Sequence, residues 1–242
     1  MMSEKVIYEV LRVIDGKAIF LENHLRRMKN SFELIGEKFT LNCEEIAMEI
    51  DKLIKNKNHC NIKITYEIDE KRLKIFFIEH SYPLNLMYEE GVKTILYFGE
   101  RENPNAKIVN LDFREKVEKE IKDNYAYEAI LVDSQGYITE GSKSNIFMIK
   151  GEKLLTSPGK TVLPGVTRGK ILNIARKLGI ETQEVQYKYS EIDKLDGMFI
   201  SGTSPKILPI NAVNNISLDA KNSIIQKLML EYDNEVNAYI KR

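Results

Sequence analysis

Ile7-Tyr-Glu-Val-Leu-Arg-Val-Ile-Asp-Gly-Lys-Ala-Ile-Phe20 alternates short apolar groups around Asp15-Gly16, and directly after it the hydrophobic period changes. Asp-Gly is a hairpin turn signal, so Ile7 to Val13 and Lys17 to Leu21 are expected to pair as strands. From there Leu21, Leu25, Met28, Phe32 and Ile35 recur at three and four positions, which predicts a helix stopping at Gly36. Ile46, Ile50, Leu53 and Ile54 predict a second helix. Alternation returns in Ile62, Ile64, Tyr66 and Ile68 and again in Leu73, Ile75 and Phe77, across the polar Asp69-Glu70-Lys71. That is the pattern of a second hairpin with one buried face. A small α+β layer pair is complete by His80.

Beyond it the composition turns irregular at Pro83-Leu-Asn-Leu-Met87, and a domain boundary is placed near Pro83, giving a small α+β domain 1–83 and a larger α/β domain 84–242 that carries Lys107. The second part reads as a strand Val92 to Phe98, then a helix with Phe113, Val117 and Ile121 inward. Strands Ala129 to Asp133 and Ser144 to Ile149 follow, then a helix Thr167 to Leu178 capped by Gly179. Strands Gly197 to Ser201 and Lys206 to Val213 precede a last helix with Ile224, Leu228, Tyr232 and Val236 on one stripe. Intermixed strands and helices without a repeat predict an α/β protein of α+β type in two lobes.

The 242 residues carry 36 Lys+Arg against 36 Asp+Glu, with 43% apolar and 30% charged residues, which excludes a disordered or fibrous chain. Balanced charge gives no general attraction to nucleic acid or anionic lipid, so neither is expected as a partner. No apolar run approaches the roughly 20 residues a membrane span needs. Cys43 and Cys60 have no C-x-x-C spacing, and the charged start reads as no signal peptide, so a reducing cytoplasmic setting is expected. His24, His59 and His80 lack metal-ligand spacing, and no metal site is expected.

Four stretches carry groups with chemical potential. Leu163-Pro-Gly-Val-Thr-Arg168 runs straight into a helix, so Gly165 allows close approach and the amides of Val166 and Thr167 face an anion; the same residues also read as a plain helix cap. Ser201-Gly-Thr-Ser-Pro205 offers hydroxyls and amides at a strand end, and equally makes an ordinary turn. Lys107 has small or apolar neighbours, which suits a partly buried amine able to act as nucleophile or Schiff-base former. Glu140 ends the run Tyr137-Ile-Thr-Glu before a small-residue loop, a place that also fits a surface ion pair. His24, Arg26 and Arg27 give the first helix a cationic face, expected to be solvated.

Taken in order, Tyr8-Glu-Val-Leu-Arg-Val-Ile-Asp-Gly16, His24-Leu-Arg-Arg27 with Ser31, Lys107-Ile-Val-Asn-Leu111, Thr139-Glu-Gly-Ser-Lys-Ser-Asn-Ile-Phe147, Leu163-Pro-Gly-Val-Thr-Arg168 and Ser201-Gly-Thr-Ser204 with Leu208-Pro-Ile resemble the fold-type IV, or class IV, pyridoxal-phosphate aminotransferases. The resemblance covers nearly the whole chain. It implies that Lys107 forms the Schiff base with pyridoxal 5'-phosphate and that Glu140 pairs with the pyridine nitrogen. Arg27, Val166, Thr167, Thr203 and Ser204 would bind the phosphate, and Tyr8 the substrate carboxylate. It further implies amino acid and 2-oxo acid substrates, an active site between the two lobes, and a homodimer whose partner loop closes the pocket.

Two stretches depart from the family pattern. Relatives carry a strand and a Gly-Asp-Gly turn before the position of Tyr8, so a shortened N-terminal lobe is expected here. Between Tyr66 and Pro83 the Arg-Gly loop that helps hold the substrate carboxylate is replaced by Tyr-Glu-Ile-Asp-Glu-Lys-Arg-Leu73, and Arg101 stands as a replacement anchor. The family also contains 4-amino-4-deoxychorismate lyases. Arg12-Val-Ile-Asp-Gly-Lys17 and Asn103-Pro104 are similar to those lyases, whereas Tyr8-Glu9 and Ser201-Gly-Thr-Ser204 are similar to the aminotransferases. An aminotransferase is thus the first reading, with the lyase and a non-catalytic cofactor- or phosphate-binding relative as alternatives.

Overall fold

The computed structural model describes residues 5–79 and 81–242, so His80 lies outside the described residues. Two compact units emerge, one formed by residues 1–81, 105–109 and 235–242 and the other by residues 82–104 and 110–234. The chain thus leaves the first unit beside the boundary expected at Pro83. It returns to that unit for the short stretch that contains Lys107, a residue that the expected division placed with 84–242.

In the first unit, β1 (Val6–Ile14) and β2 (Lys17–Ala18) form the hairpin around Asp15-Gly16. The second strand stops at Ala18, short of the expected Leu21. Phe20 takes a left-handed φ of 56°, and the chain turns there into α1 (Leu21–Leu34). Next comes α2 (Cys43–Ile54), whose N-cap Asn42 accepts from the N–H of Glu44 at 2.9 Å. Then β3 (His59–Glu67) and β4 (Arg72–Ile78) complete an antiparallel sheet of order β2-β1-β3-β4. Ile7, Leu11 and Val13 of β1 and Ile62 and Ile64 of β3 face Met28 and Phe32 of α1 and Ile46 and Ile50 of α2 in one core. Each such side chain contributes about 1.5–3 kcal/mol when fully buried.

The second unit opens with α3 (Asn85–Glu90), then β5 (Val92–Phe98), α4 (Leu111–Asp123) and β6 (Glu128–Val132). Because β5 and β6 are parallel, their link must cross over, and α4 makes that crossing with Val117 inward. It continues through β7 (Tyr137–Gly141), β8 (Asn145–Lys150), β9 (Lys153–Thr156), α5 (Val166–Lys177), β10 (Thr182–Glu184), β11 (Tyr187–Lys188), β12 (Gly197–Gly202), β13 (Lys206–Val213) and β14 (Ile216–Ser217). These strands make one ten-stranded sheet of order β10-β9-β8-β12-β13-β5-β6-β7-β11, with β14 on β13. At its centre Phe147 of β8 lies opposite Phe199 of β12, their rings stacked at 4.9 Å.

The last helix, α6 (Ser223–Ile240), buries Leu228 and Tyr232 in the second unit's share of its length. Its final turns count with the first unit, where the Tyr239 hydroxyl donates to Glu22 at 2.7 Å and its ring meets Phe20 edge-on. Among the described residues no helix is long and apolar enough to cross a membrane.

Candidate active site

Lys107 lies on a short segment laid against β1 in the first unit. The N–H of Tyr8 donates to the Lys107 carbonyl at 3.0 Å, Val109 donates to Val6 at 3.1 Å, and Ile7 bridges Ile108. Lys107's own N–H donates to the Ser31 hydroxyl at 3.2 Å, and that buried hydroxyl donates to the Arg27 carbonyl at 3.1 Å, which ties the segment to α1. The Lys107 side chain is partly buried, as expected, with its ammonium 4.6 Å from the centre of the Tyr8 ring.

The helix face carrying His24 and Arg27 is not the solvated surface expected of it. His24 and Arg27 are buried at 2% and 8% exposure, and only Arg26 faces solvent. The partner responsible is Glu9, fully buried on β1, which accepts from Arg27 Nε at 2.8 Å and Nη2 at 2.6 Å and contacts His24 Nδ1 at 2.7 Å. Burial alone would raise the Glu9 pKa, but the Arg27 charge and its hydrogen bonds, helped by His24, outweigh it and hold the carboxyl at about 2. Burial lowers the His24 pKa in spite of Glu9. Since Nε and one Nη2 hydrogen face Glu9, the Nη1 side of the guanidinium is turned away from that carboxylate.

In the second unit Glu140, near the end of β7 and 3% exposed, accepts the N–H of Leu163 on Oε2 at 3.0 Å. Its Oε1 pairs with Arg101 Nε at 3.3 Å, and Arg101 Nη2 donates to the Pro104 carbonyl at 2.6 Å. Asn145, at the start of β8, donates from Nδ2 to the carbonyl of the same Leu163 at 2.9 Å. Both polar groups of one peptide unit are thereby held two residues before α5.

That helix begins at Val166 with Gly165 as N-cap and no side-chain cap, so the amides of Val166 and Thr167 are left to an outside acceptor. A Cβ on Gly165 would fall 2.0 Å from Asn145 Oδ1, so only glycine permits this approach. Arg168 turns away to Glu184 at 2.9 Å and to the Ser157 carbonyl at 3.0 Å. Ser201 pairs in register with Asn145 on the neighbouring strand, and its buried hydroxyl has no hydrogen-bond partner among the described residues. Thr203 and Ser204, half-buried, form the turn from β12 to β13.

This donor set fits pyridoxal phosphate. An uncapped helix start beside an unpartnered buried hydroxyl suits a phosphate, and a buried carboxylate suits a basic ring nitrogen. Among the described residues no cluster of His, Cys, Asp and Glu is able to hold a metal ion.

Sequence reasoning missed Glu9 and Asn145. Glu9 did leave a signal, because it alternates in phase with Ile7, Leu11 and Val13, and a carboxylate on a buried face requires partners. Asn145 left none, since its role depends on the Leu163 loop meeting β8.

A family model for Amino-transferase class IV matches residues 6–213. A Rickettsia bellii protein named as a probable branched-chain-amino-acid aminotransferase is 28% identical, over 86% of this chain and 78% of its own. The D-alanine aminotransferase of Bacillus licheniformis is 23% identical over the same shares of the two chains. The Escherichia coli branched-chain amino acid aminotransferase has the same fold, with a TM-score of 0.85, 21% identity and coverage of 97% of this chain and 86% of its own. A Legionella pneumophila structure with the provisional name 4-amino-4-deoxychorismate lyase aligns with a TM-score of 0.87 and 21% identity, over 96% of this chain and 91% of its own. The chain therefore belongs to the class IV amino-transferases, pyridoxal-phosphate-dependent enzymes acting on an amino acid and a 2-oxo acid.

Proposed function

We propose that the protein transfers the amino group of a small amino acid to a 2-oxo acid, with Lys107 as the covalent attachment point and proton carrier and Glu140 as the ring-nitrogen partner. The observation that carries this reading is the grip on the Leu163 peptide. It fixes a buried carboxylate and an uncapped helix start relative to each other, the two features that a basic ring nitrogen and a phosphate require.

When bound, pyridoxal phosphate supplies a ring that accepts the electrons released as the substrate's α-proton leaves. Glu140 keeps the ring nitrogen protonated, and its burial strengthens that pairing. Lys107 Nζ would hold and move the proton released at the substrate's α-carbon, its ammonium held over the Tyr8 ring. Arg27 through Nη1, the amides of Val166 and Thr167, and the hydroxyls of Thr203 and Ser204 bind the phosphate. Tyr8 and Arg101 are assigned to the substrate carboxylate. A homodimer in the cytoplasm fits the family and the two free cysteines, Cys43 and Cys60.

The test is incubation with pyridoxal phosphate, borohydride reduction and mapping of the modified lysine, followed by a screen of D- and L-amino donors. Label at Lys107 and amino transfer to an oxo acid are expected. Label scattered over surface lysines overturns the assignment, and pyruvate formed from aminodeoxychorismate without an amino acceptor replaces it with the lyase.

A further inference from the structure

Glu128 opens β6 at 5% exposure, and among the described residues no ion pair reaches it. Its Oε1 accepts from the Ala129 N–H at 3.0 Å, from the Ser142 N–H at 3.1 Å and from the Ser142 hydroxyl. Its Oε2 accepts from the Ser144 hydroxyl at 3.2 Å. Burial raises its pKa, and the hydroxyl and amide donors with the charge of Lys143 offset this only in part. A buried carboxyl with four donors and no ion pair is costly unless the geometry it enforces matters.

The segment it grips, Gly141-Ser-Lys-Ser-Asn145, links β7 to β8. It is folded tightly, for Gly141 donates to the Ser144 carbonyl at 2.8 Å and a Cβ on Gly141 would fall 2.1 Å from Ser144 Oγ. Glu140 and Asn145 flank this turn, and they are the two side chains that hold the N–H and C=O of Leu163. The geometry points to Glu128 as a positioning residue that, through the 141–145 turn, sets Glu140 against Asn145 and so fixes the Leu163 peptide and the start of α5. This rests on the reading of Glu140 as ring-nitrogen partner and of α5 as phosphate site.

Glutamine is the informative substitution. Its carbonyl replaces Oε1 and keeps those three donors, while its NH₂ donates to Ser144, whose hydroxyl can turn to accept. Glu128→Ala leaves both serine hydroxyls without their acceptor.

Two quantities are measured in Glu128→Ala and Glu128→Gln: pyridoxal phosphate affinity by titration, and Leu163 amide exchange in the protein before cofactor is added. Glu128→Ala is expected to lose about tenfold or more in affinity and to speed Leu163 exchange by a similar factor relative to amides in the middle of β8, with Glu128→Gln restoring most of both. Wild-type affinity and exchange in Glu128→Ala overturn the inference, and so does a Glu128→Gln no better than the alanine variant. Should Glu128→Ala fail to fold, the double variant Ser142→Ala, Ser144→Ala removes the hydroxyl donors instead, and unchanged affinity and exchange there also overturn it. A wild type that takes up no pyridoxal phosphate at Lys107 sinks the functional reading and the positioning role with it, while Leu163 exchange still shows separately whether Glu128 holds the turn.

Discussion

Arg27 meets Glu9 edge to edge, Nε to Oε1 at 2.8 Å and Nη2 to Oε2 at 2.6 Å, with Glu9 fully buried and His24 on the same carboxylate. The folded carboxyl titrates at about 2 against an ordinary 4.5, so its contribution to stability is present above about pH 4.5 and is lost as pH falls towards 2. His24, lowered from 6.5, acts with the same sign, its contribution being lost as pH falls below its ordinary range. Glu9→Gln should therefore flatten the fall of Tm with acidification between about pH 4.5 and 2. Thermal melts of both proteins across that window check this, and parallel curves would contradict it.

Removing the cation instead strands the carboxylate. Arg27→Ala is expected to cost on the order of 3–5 kcal/mol, whereas Arg27→Lys recovers part of the charge and loses the two-bond geometry. Urea unfolding measures both, and a cost under about 1 kcal/mol for the alanine variant would show that the pair contributes little.

Lys107→Ala should abolish borohydride-stable labelling and lower amino transfer by about 10²–10⁴-fold. The variant should still fold, since the Tyr8 and Ser31 hydrogen bonds use Lys107 backbone groups that alanine retains. Turnover at the wild-type rate in this variant would remove Lys107 from the chemistry.

Gly165→Ala forces a methyl to within 2.0 Å of Asn145 Oδ1, on a side chain anchored to the Leu163 carbonyl. Overpacking of this kind costs about 1–3 kcal/mol, and pushing Asn145 aside loosens the Leu163 peptide, so cofactor affinity should fall along with Tm. A variant that binds pyridoxal phosphate as tightly as wild type would mean the close approach is not needed for phosphate binding.

Glu128 has the opposite pH sign to Glu9. A carboxyl whose folded pKa is raised favours the fold most below its unfolded value, and that advantage is lost as pH rises through the folded value. Glu128→Gln does not ionise, so its Tm relative to wild type should climb as pH is raised above about 4.5. A constant difference across pH would show that Glu128 titrates normally.

Much of the fold was legible because its signals are local. The three-and-four spacing of Leu25, Met28 and Phe32 and the alternation of Ile62 and Ile64 each follow from which face of one element is buried, and the core contains them all. The short strands β9, β10, β11 and β14 were not legible, since two to four residues hold too little periodicity and their pairing is made by distant neighbours. The second strand ended early because Phe20 adopts a left-handed turn that no residue type announces.

By itself the sequence determined the family and singled out Lys107, Glu140 and the small-residue turns as candidates, because those motifs recur in order along one chain. Only the tertiary structure decided that Arg27 is sunk against Glu9, that one peptide at Leu163 is held by both Glu140 and Asn145, and that Glu128 braces the turn between them. The physical reason is that a buried polar group takes its character from its hydrogen-bond partners. Here those partners lie on other elements of the chain, at separations that no local pattern reports.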